Sequence, residues 1–558
     1  MNKKIGGGGN MKKMISFVIA VIATVSSAIA VPQTAAVDTT QAAKQAKKAL
    51  KLMNKDNEKD WQKGFAMYRD AAYKGLRSAQ RKLFDFYLSQ TPRAEEDAME
   101  FAKMLADEGE LEYQYMVGYY YILADSAATA PRNAVLGAHY LKTAADNGDV
   151  KAAVLYGTCL IEGRGCFIDF DAAERYFLTA ADKGNDTAME ILGEIYYFEK
   201  YGRVNLEKCF KYTRMGAELG NSEAIFNLGC LYMNGEGVTK NLDEAIYWFT
   251  KSSGLGNAGA KNNLALVMEE KNGKSDDALF LLRKSADAGD AMAQYNLGVK
   301  YLLGEGVINN EEKAFSLFRK SAEQGCAEGQ RELGRAYLNG IGTIADSALG
   351  FKWLEKAVLQ NDSTACVFLA SCYFQGEGTD KDDGMGFVYV KKAADMGSAF
   401  GLYAMGSCYL SGLGVAKSEE TGFRYIRQAA DLCNVNACEE LAYLYLSGIG
   451  TAKNANLAIS YGKKALELGS EDKGAIYYNL SFAYGDSDKK MRNEYLRKAA
   501  ELGFPDALIN YGLYLYYGDG IPKDENKAKE YLRKCAQQSD NPEASAKAKE
   551  IIKEIGNK

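Results

Sequence analysis

The feature that most constrains this chain is an internal repeat of about 36 residues, seen most clearly from Asp290 to Gly325. The first half places Leu297 and Tyr301 at helical spacing and breaks at Gly304-Glu305-Gly306, where glycines supply the positive φ angles of a tight turn. The second half has the same helical period and ends at Gly325, where a helix C-cap glycine belongs. Because neither short helix buries its apolar stripe alone, each pair must stack on copies of itself.

Two sequence markers count the copies. The capping position recurs at Gly75, Gly109, Gly148, Gly184, Gly220, Gly256, Gly289, Gly325, Asn361, Gly397, Cys433, Gly469, Gly503 and Ser539. Most steps are 36 residues, and we expect the deviating second, third, seventh and thirteenth units to differ only in turns or loops. Inside the first helix, a large residue is followed by Gly or Ala, as in Leu297-Gly298 and Leu333-Gly334. Only such a small residue lets the two helices of a unit touch there.

The pattern A-x-x-x-L-G-x-x-Y-x-x-G-x-G-V, followed by a K-A-x-x-[WYF]-x-x-K-A-A helix, resembles the Sel1-like repeat, a relative of the tetratricopeptide repeat. The resemblance covers about Ser78 to Ser539. It implies an all-α fold, an α/α right-handed superhelical solenoid of about 13 helix-turn-helix repeats, used for binding proteins or peptides. We expect a spacer and degenerate capping repeat over residues 31–77, and a C-terminal capping helix over residues 540–558.

Composition agrees with a helical repeat protein. A single globular core would be unusual for 558 residues, whereas repetition accommodates that length. The chain has only six prolines, as expected for a nearly continuous succession of helices. Its formal net charge is −5 and its basic residues are dispersed, which argues against nucleic acid as a partner.

The N-terminal residues 1–30 have the pattern of a signal peptide preceded by a short extension. Lys12 and Lys13 precede an apolar stretch from Met14 to Val25, and Ala28-Ile29-Ala30 forms a cleavage motif before Val31. We therefore expect a periplasmic or secreted protein. The alternative is an uncleaved N-terminal membrane anchor, since Met14 to Ala30 is 17 residues long, near the lower length limit for a span.

The eleven cysteines are an odd number, so at least one has no disulfide partner within the chain. The resemblance includes an exported, cysteine-rich branch whose successive repeats carry disulfides, but the spacing of that branch does not recur here. Cys433 and Cys438 are the nearest approach to it. Cys372 and Cys408 share one repeat position, which favours small buried residues over a ladder of disulfides.

Enzymatic motifs find little support. The single histidine, His139, excludes H-E-x-x-H sites, and Gly273-Lys274-Ser275 lacks the rest of a phosphate loop. Because the exported relatives are linked with β-lactam binding or hydrolysis, the resemblance implies a β-lactam-binding or β-lactamase-like hydrolase as the alternative. Ser460 and Ser487 each begin an S-x-x-K string, but no K-T-G occurs. We expect no catalytic residue, no cofactor and no metal.

The remaining expectation is a binding surface for a protein or an extended peptide. In tetratricopeptide-like stacks the first helix of each unit lines the concave side, and residues two before and two after the signature Leu face that side. Aromatic, Arg and Glu residues there are typical of interaction surfaces, although they also fit an ordinary helix surface with ion pairs across repeats. The candidates are Tyr115, Tyr119, Glu190, Glu194, Phe226, Tyr295, Arg331, Arg335, Tyr403, Glu439 and Tyr443.

Overall fold

A computed structural model describes residues 38–55, 57–89, 95–123, 133–539 and 541–556. These residues form helices joined by short turns and contain no β-strand, which confirms the expected all-α fold of repeated helix pairs. The predicted signal segment lies outside the described residues. No helix within the described ranges has the length and apolar character needed to span a bilayer. The chain divides into two compact units, residues 1–260 and 261–558.

The helices alternate between the first and the second member of each pair. In chain order they are α1 (Asp38–Met53), α2 (Glu58–Tyr73), α3 (Arg77–Leu88), α4 (Glu95–Asp107), α5 (Leu111–Leu123), α6 (Ala134–Asp146), α7 (Val150–Glu162), α8 (Phe170–Asp182), α9 (Asp186–Tyr197), α10 (Leu206–Glu218), α11 (Ser222–Asn234), α12 (Leu242–Gly254), α13 (Ala258–Asn272), α14 (Asp276–Asp287), α15 (Ala291–Leu303), α16 (Glu311–Glu323), α17 (Ala327–Asn339), α18 (Ser347–Leu359), α19 (Ser363–Gln375), α20 (Asp383–Asp395), α21 (Ala399–Ser411), α22 (Glu419–Asp431), α23 (Val435–Ser447), α24 (Ala455–Glu467), α25 (Lys473–Tyr484), α26 (Lys489–Glu501), α27 (Pro505–Tyr517), α28 (Glu525–Ala536) and α29 (Pro542–Gly556).

Polar caps fix where most helices begin. Asp290, for example, accepts a hydrogen bond from the backbone N–H of Ala293 at 2.7 Å, and Asn310 accepts one from Lys313 at 2.8 Å. Such caps satisfy backbone donors that have no partner inside the helix. A cap at each end of a thirteen-residue helix makes the repeat length insensitive to substitutions on its surface.

The predicted C-cap positions are confirmed with one exception. All of them except Ser539 have positive φ, including the two that are not glycine, Asn361 (φ 63°) and Cys433 (φ 60°). The prediction for Ser539 was wrong because α28 ends at Ala536 without a left-handed residue. The chain tightens there instead, and the N–H of Gln538 donates to the Cys535 carbonyl at 3.1 Å.

The signature glycines are the points where the two helices of a unit meet. A Cβ on Gly298 would lie 2.7 Å from the ring of Phe318, and one on Gly334 would lie 2.9 Å from the side chain of Leu354. Both Phe318 and Leu354 are fully buried. The expectation that only a small residue permits this contact is therefore confirmed.

The second glycine of each turn joins neighbouring repeats as well as closing the turn. Gly414 has φ of 69°, and a Cβ there would overlap the carbonyl oxygen of Asp383, at the start of the second helix of the preceding repeat. Polar groups add further links between repeats: Gln294 donates to the Ala286 carbonyl at 3.1 Å, and Lys464 to the Ala430 carbonyl at 2.7 Å. Cations and amides thus add hydrogen bonds to carbonyls in the last turn of helices.

In the two deviating repeats whose turns are described, the turns change length as the sequence predicted, but α13 also extends to 15 residues where α15 has 13. Between α13 and α14 the turn shortens to residues 273–275, and between α25 and α26 a short 3₁₀ segment, Gly485–Asp488, replaces it. The turns of the second and third repeats include residues outside the described ranges. Beyond contacts within a pair, α15 also packs on α17, α19 on α21 and α23 on α25, so first helices touch first helices directly.

Candidate functional site

We call the surface made by the exposed sides of the first helices the first-helix face. In the unit 261–558, Tyr295, Arg331, Tyr403 and Glu439 occupy one repeat position on α15, α17, α21 and α23. Tyr295 and Arg331 meet across neighbouring repeats, because the Arg331 Nη2 donates to the Tyr295 hydroxyl at 3.3 Å. The guanidinium also lies 5.9 Å from the centre of the Tyr295 ring.

The guanidinium of Arg331 already forms ion pairs with carboxylates of the protein itself. Its Nη1 lies 2.6 Å from Oδ2 of Asp362, and its Nε lies 3.1 Å from Oε1 of Glu332. Only 14% of its side chain is exposed. Arg335 is more accessible, with 35% exposed, and pairs with Glu332 at 2.8 Å. Of this predicted Arg pair, Arg331 links repeats, while Arg335 retains a surface that a partner can contact.

The other predicted residues in this unit vary in exposure. Tyr403 is half-buried, and burial raises the pKa of its hydroxyl. Glu439 is also half-buried, whereas 48% of Tyr443 is exposed. Burial raises the pKa of the adjacent Glu440, which lies one position beyond the predicted Glu439. Among the predicted residues of this unit, Tyr443 is thus the aromatic one most open to a partner.

In the unit 1–260, the aromatic candidates form local ring contacts. Tyr115 and Tyr119 lie on consecutive turns of α5 with ring centres 5.8 Å apart, and Tyr119 is exposed. The ring centre of Phe226, on α11, lies 5.8 Å from that of Phe249, and Phe226 is half-buried. Tyr119 therefore offers the most accessible ring of the three, while the other two also serve the core.

Glu190 and Glu194 on α9 belong to an acidic area of the first-helix face. Burial, together with the nearby charges of Glu194, Glu223 and Asp186, raises the pKa of Glu190 to about 7. The pair that the sequence predicted therefore lies in a negative local field. A carboxylate in such a field is stabilised by a cation that approaches from solvent.

A cavity of about 180 Å³ opens beside Glu194, between α9, α10 and α11. We call it the α9–α11 pocket. Its lining residues are Gly193, Glu194, Tyr197, Phe198, Cys209, Thr213, Asn227, Cys230, Leu231, Asn234 and Glu236. Glu194 was predicted from its repeat position, but the rest of the pocket was missed.

The pocket exists because one core position changes size. In other repeats the residue that packs on the signature glycine is large, such as Phe177 against Gly157 or Phe249 against Gly229. In this repeat the equivalent residue is Thr213, whose hydroxyl faces Gly193. The signal was available in the sequence as a break in the pattern of Phe, Leu and Ile at this position.

The residues considered for catalysis are dispersed. His139 is exposed on α6, with its ring 5.6 Å from that of Tyr140. Ser460 is exposed on α24, whereas Ser487 lies in the 3₁₀ segment after α25, where its hydroxyl donates to the Tyr484 carbonyl. Lys463, the lysine that follows Ser460 in its string, has its ammonium 5.8 Å from the centre of the Tyr484 ring.

Most cysteines have the surroundings of structural residues. Cys372 and Cys408, which share a repeat position, are both buried, and burial raises the pKa of each thiol to about 11. Cys433 is exposed at a left-handed cap, whereas the buried Cys438 points its thiol at the Ala430 carbonyl, 3.8 Å away. A raised thiol pKa lowers the thiolate fraction and with it reactivity. No cluster of His, Cys, Asp and Glu able to hold a metal ion occurs within the described residues.

Tandem helix pairs, joined through glycine turns and stacked through small signature residues, define a repeat solenoid, a class whose members generally act as protein-interaction scaffolds. The chain belongs to the Sel1 repeat family. The family model matches residues 111–149, 150–185, 187–221, 222–257, 270–290, 291–326, 327–362, 363–398, 399–432, 435–470, 493–504 and 505–540. These twelve matches confirm the resemblance noted in the sequence.

Solved structures include similar chains. One is a protective antigen present in uropathogenic Escherichia coli strains, with 25% identity, 82% of this chain and 90% of that chain covered, and a TM-score of 0.49. Another is a Sel1 repeat protein from Oxalobacter formigenes, with 23% identity, 63% of this chain and 99% of that chain covered, and a TM-score of 0.46. Yeast Tom70 aligns at 15% identity, with 93% of this chain and 96% of that chain covered and a TM-score of 0.31. No curated protein matches the chain.

Proposed function

We propose that this protein is an exported, non-enzymatic scaffold that binds a protein or an extended peptide along the concave side of its repeats. The observation that carries the proposal is the first-helix face itself. First helices pack on one another, and α15, α17, α21 and α23 present aromatic or charged residues at the same repeat position. A row of this kind suits an extended chain, because each repeat offers one contact at a regular interval.

The chemistry of the face supports protein contact. Tyrosines such as Tyr119 and Tyr443 combine a rigid apolar ring with a polar tip, and both are exposed. Such residues are enriched where proteins bind one another. Arg335 and the carboxylates of Glu190 and Glu194 add both signs of charge, which favours a partner that carries charges of its own.

A crosslinking experiment tests the proposed face. We would replace Tyr443 with p-benzoylphenylalanine, irradiate cells that produce the full chain, and identify the crosslinked products by mass spectrometry. The matched control places the same group at Tyr247, which is similarly exposed but lies on a second helix, α12. We expect a discrete protein adduct at Tyr443 and none at Tyr247. Equal labelling at both positions would contradict the assignment of the face.

Export is a separate part of the proposal and has its own test. The polar and apolar pattern of residues 1–30 supports cleavage before Val31. We expect the mature protein, recovered from the periplasm or the medium, to begin at Val31 in N-terminal sequencing. A membrane-associated product that retains the apolar segment would instead support the anchored form.

A further inference from the structure

We propose that the α9–α11 pocket accepts the side chain of an arginine from the partner. The inference rests on the proposed function, since it assigns to one repeat the kind of residue that the bound chain inserts. The pocket lies wholly inside the unit 1–260 and opens between two neighbouring first helices. A segment lying along the first-helix face would therefore pass over its mouth.

The size of the pocket fits one long side chain. A volume of about 180 Å³ is many times the roughly 10–15 Å³ that one water needs on the same measure. The space corresponds to the aromatic or aliphatic side chain that other repeats place against the signature glycine. Here Thr213 leaves that space unfilled, and Gly193 removes side-chain volume from the opposite wall.

The charge of the lining selects a cation. Glu194 and Glu236 both line the pocket, and Asn227 and Asn234 add amide oxygens. The Tyr197 hydroxyl donates to Glu236 Oε1 at 3.3 Å, which fixes that carboxylate beside the opening. Glu190 lies on the same helix, one turn before Glu194, and contributes to the same negative field.

Arginine satisfies this lining better than lysine. Its five N–H donors form a planar fork, whereas the lysine ammonium is a compact point charge. Acceptors here lie on two helices and a turn, so donors that diverge in a plane can reach more than one of them. Tyr197 and Phe198 place aromatic rings in the wall, on which a guanidinium stacks.

The same edge already attracts a cation of the protein. The ammonium of Lys200 lies 5.2 Å from the centre of the Phe198 ring and 4.7 Å from that of Tyr201. Lys200 is exposed, so it can move aside when a partner approaches. It is a weak competitor for this edge, and its removal should strengthen binding of an external cation.

The test uses the full chain and three capped tripeptides, Ac-Gly-Xaa-Gly-NH₂, in which Xaa is arginine, lysine or citrulline. Citrulline retains the shape of arginine without its charge. Saturation-transfer difference NMR suits weak ligands of a protein of 61.1 kDa. We expect the arginine peptide to bind at least fivefold more tightly than the citrulline peptide and measurably more tightly than the lysine peptide.

Variants connect the signal to the pocket. Thr213→Phe restores the residue type that other repeats have at this position, so it should fill the space and abolish binding. Glu194→Gln should weaken binding at least fivefold without changing packing. Asp182→Asn removes the same charge from an exposed position outside the lining and should leave binding unchanged. Lys200→Gln should increase affinity.

Three outcomes would overturn the inference: equal binding of the arginine and citrulline peptides, binding that survives both Thr213→Phe and Glu194→Gln, or tighter binding of lysine. Failure of the scaffold proposal would appear elsewhere. A p-benzoylphenylalanine group at Tyr119 reports partner binding in this unit independently of the tripeptides. If that adduct forms while the arginine peptide shows no preference, the scaffold stands and the pocket assignment falls.

Discussion

Three Gly→Ala substitutions around α20 separate the two constraints that hold neighbouring repeats together. Gly384 lies inside α20 and has an ordinary negative φ. Gly397 ends α20 at φ of 75°, and a Cβ there would have open space around it. Gly414 lies in the turn of the next repeat at φ of 69°, and a Cβ there would overlap the carbonyl oxygen of Asp383, at the start of α20. At Gly384 a Cβ meets only the side chain of Asp382, with Oδ1 3.3 Å away, at Gly397 it meets a backbone constraint alone, and at Gly414 a backbone constraint with a steric overlap.

The expected magnitudes follow from those surroundings. Gly384→Ala should be neutral or stabilise by about 0.5 kcal/mol, since alanine restricts the unfolded chain. Gly397→Ala should cost about 1–2 kcal/mol for a left-handed alanine. Gly414→Ala adds displacement of a helix backbone, typically about 1–3 kcal/mol more, for a total of about 2–5 kcal/mol.

Hydrogen exchange of the α20 amides, measured by mass spectrometry on the native protein, reports these local free energies. Every 1.4 kcal/mol corresponds to a tenfold change in protection. Protection should fall about 5- to 30-fold in Gly397→Ala and at least about 30-fold in Gly414→Ala, and remain unchanged or rise in Gly384→Ala. Equal losses in Gly397→Ala and Gly414→Ala would refute the claim that the second turn glycine links repeats.

Four further substitutions test the first-helix face and the helix ends. Arg331→Ala should destabilise by roughly 2–4 kcal/mol, because it strands the buried Asp362 carboxylate, whereas Arg335→Ala should cost under about 1 kcal/mol; urea unfolding measures both. Glu190→Gln should stabilise near neutral pH by roughly 1–2 kcal/mol after allowance for solvent screening. The raised pKa of about 7 makes the ionised form costly in the folded state, so the gain should disappear as pH falls towards 4.5. Cys433→Gly should stabilise by about 1 kcal/mol by relieving φ of 60°, as thermal unfolding under reducing conditions would show.

Each of these results has a contrary outcome that would matter. Equal costs for the two arginine substitutions would mean that the Asp362 pair adds nothing to stability. A gain from Glu190→Gln that persists unchanged at pH 4 would remove the electrostatic explanation. A loss of stability in Cys433→Gly would show that the thiol contributes more through its contacts than the backbone strain costs.

Local rules were enough to predict most of the fold. The caps and the small signature residues depend on neighbours in sequence, so Gly325, Gly298 and even Cys433 were assigned correctly from spacing alone. The end of α28 was not, because nothing at Gln537 or Ser539 marks the left-handed cap used elsewhere. Where the left-handed residue is absent, a hydrogen bond between residues three apart, from Gln538 to Cys535, ends the helix instead.

The face was easier to predict than the state of each residue on it. Helical geometry placed Arg331 and Tyr443 on the first helices, as observed. It gave no information that Arg331 is held by Asp362, a cap 31 residues later, while Tyr443 remains exposed. Such pairing depends on how far one repeat rotates relative to the next, a quantity that no single repeat encodes.

A comparison of two small residues shows what repeat patterns can and cannot reveal about a pocket. Thr213 and Gly462 both occupy the position that other repeats fill with a large residue. A Cβ on Gly462 would lie 3.0 Å from Leu480 and 3.8 Å from Ile476, so side chains of the next first helix close that gap. Beside Thr213 no neighbour does so, and a cavity of about 180 Å³ remains. A missing large residue therefore marks a position to inspect, and the residues of the following repeat decide whether it becomes a pocket.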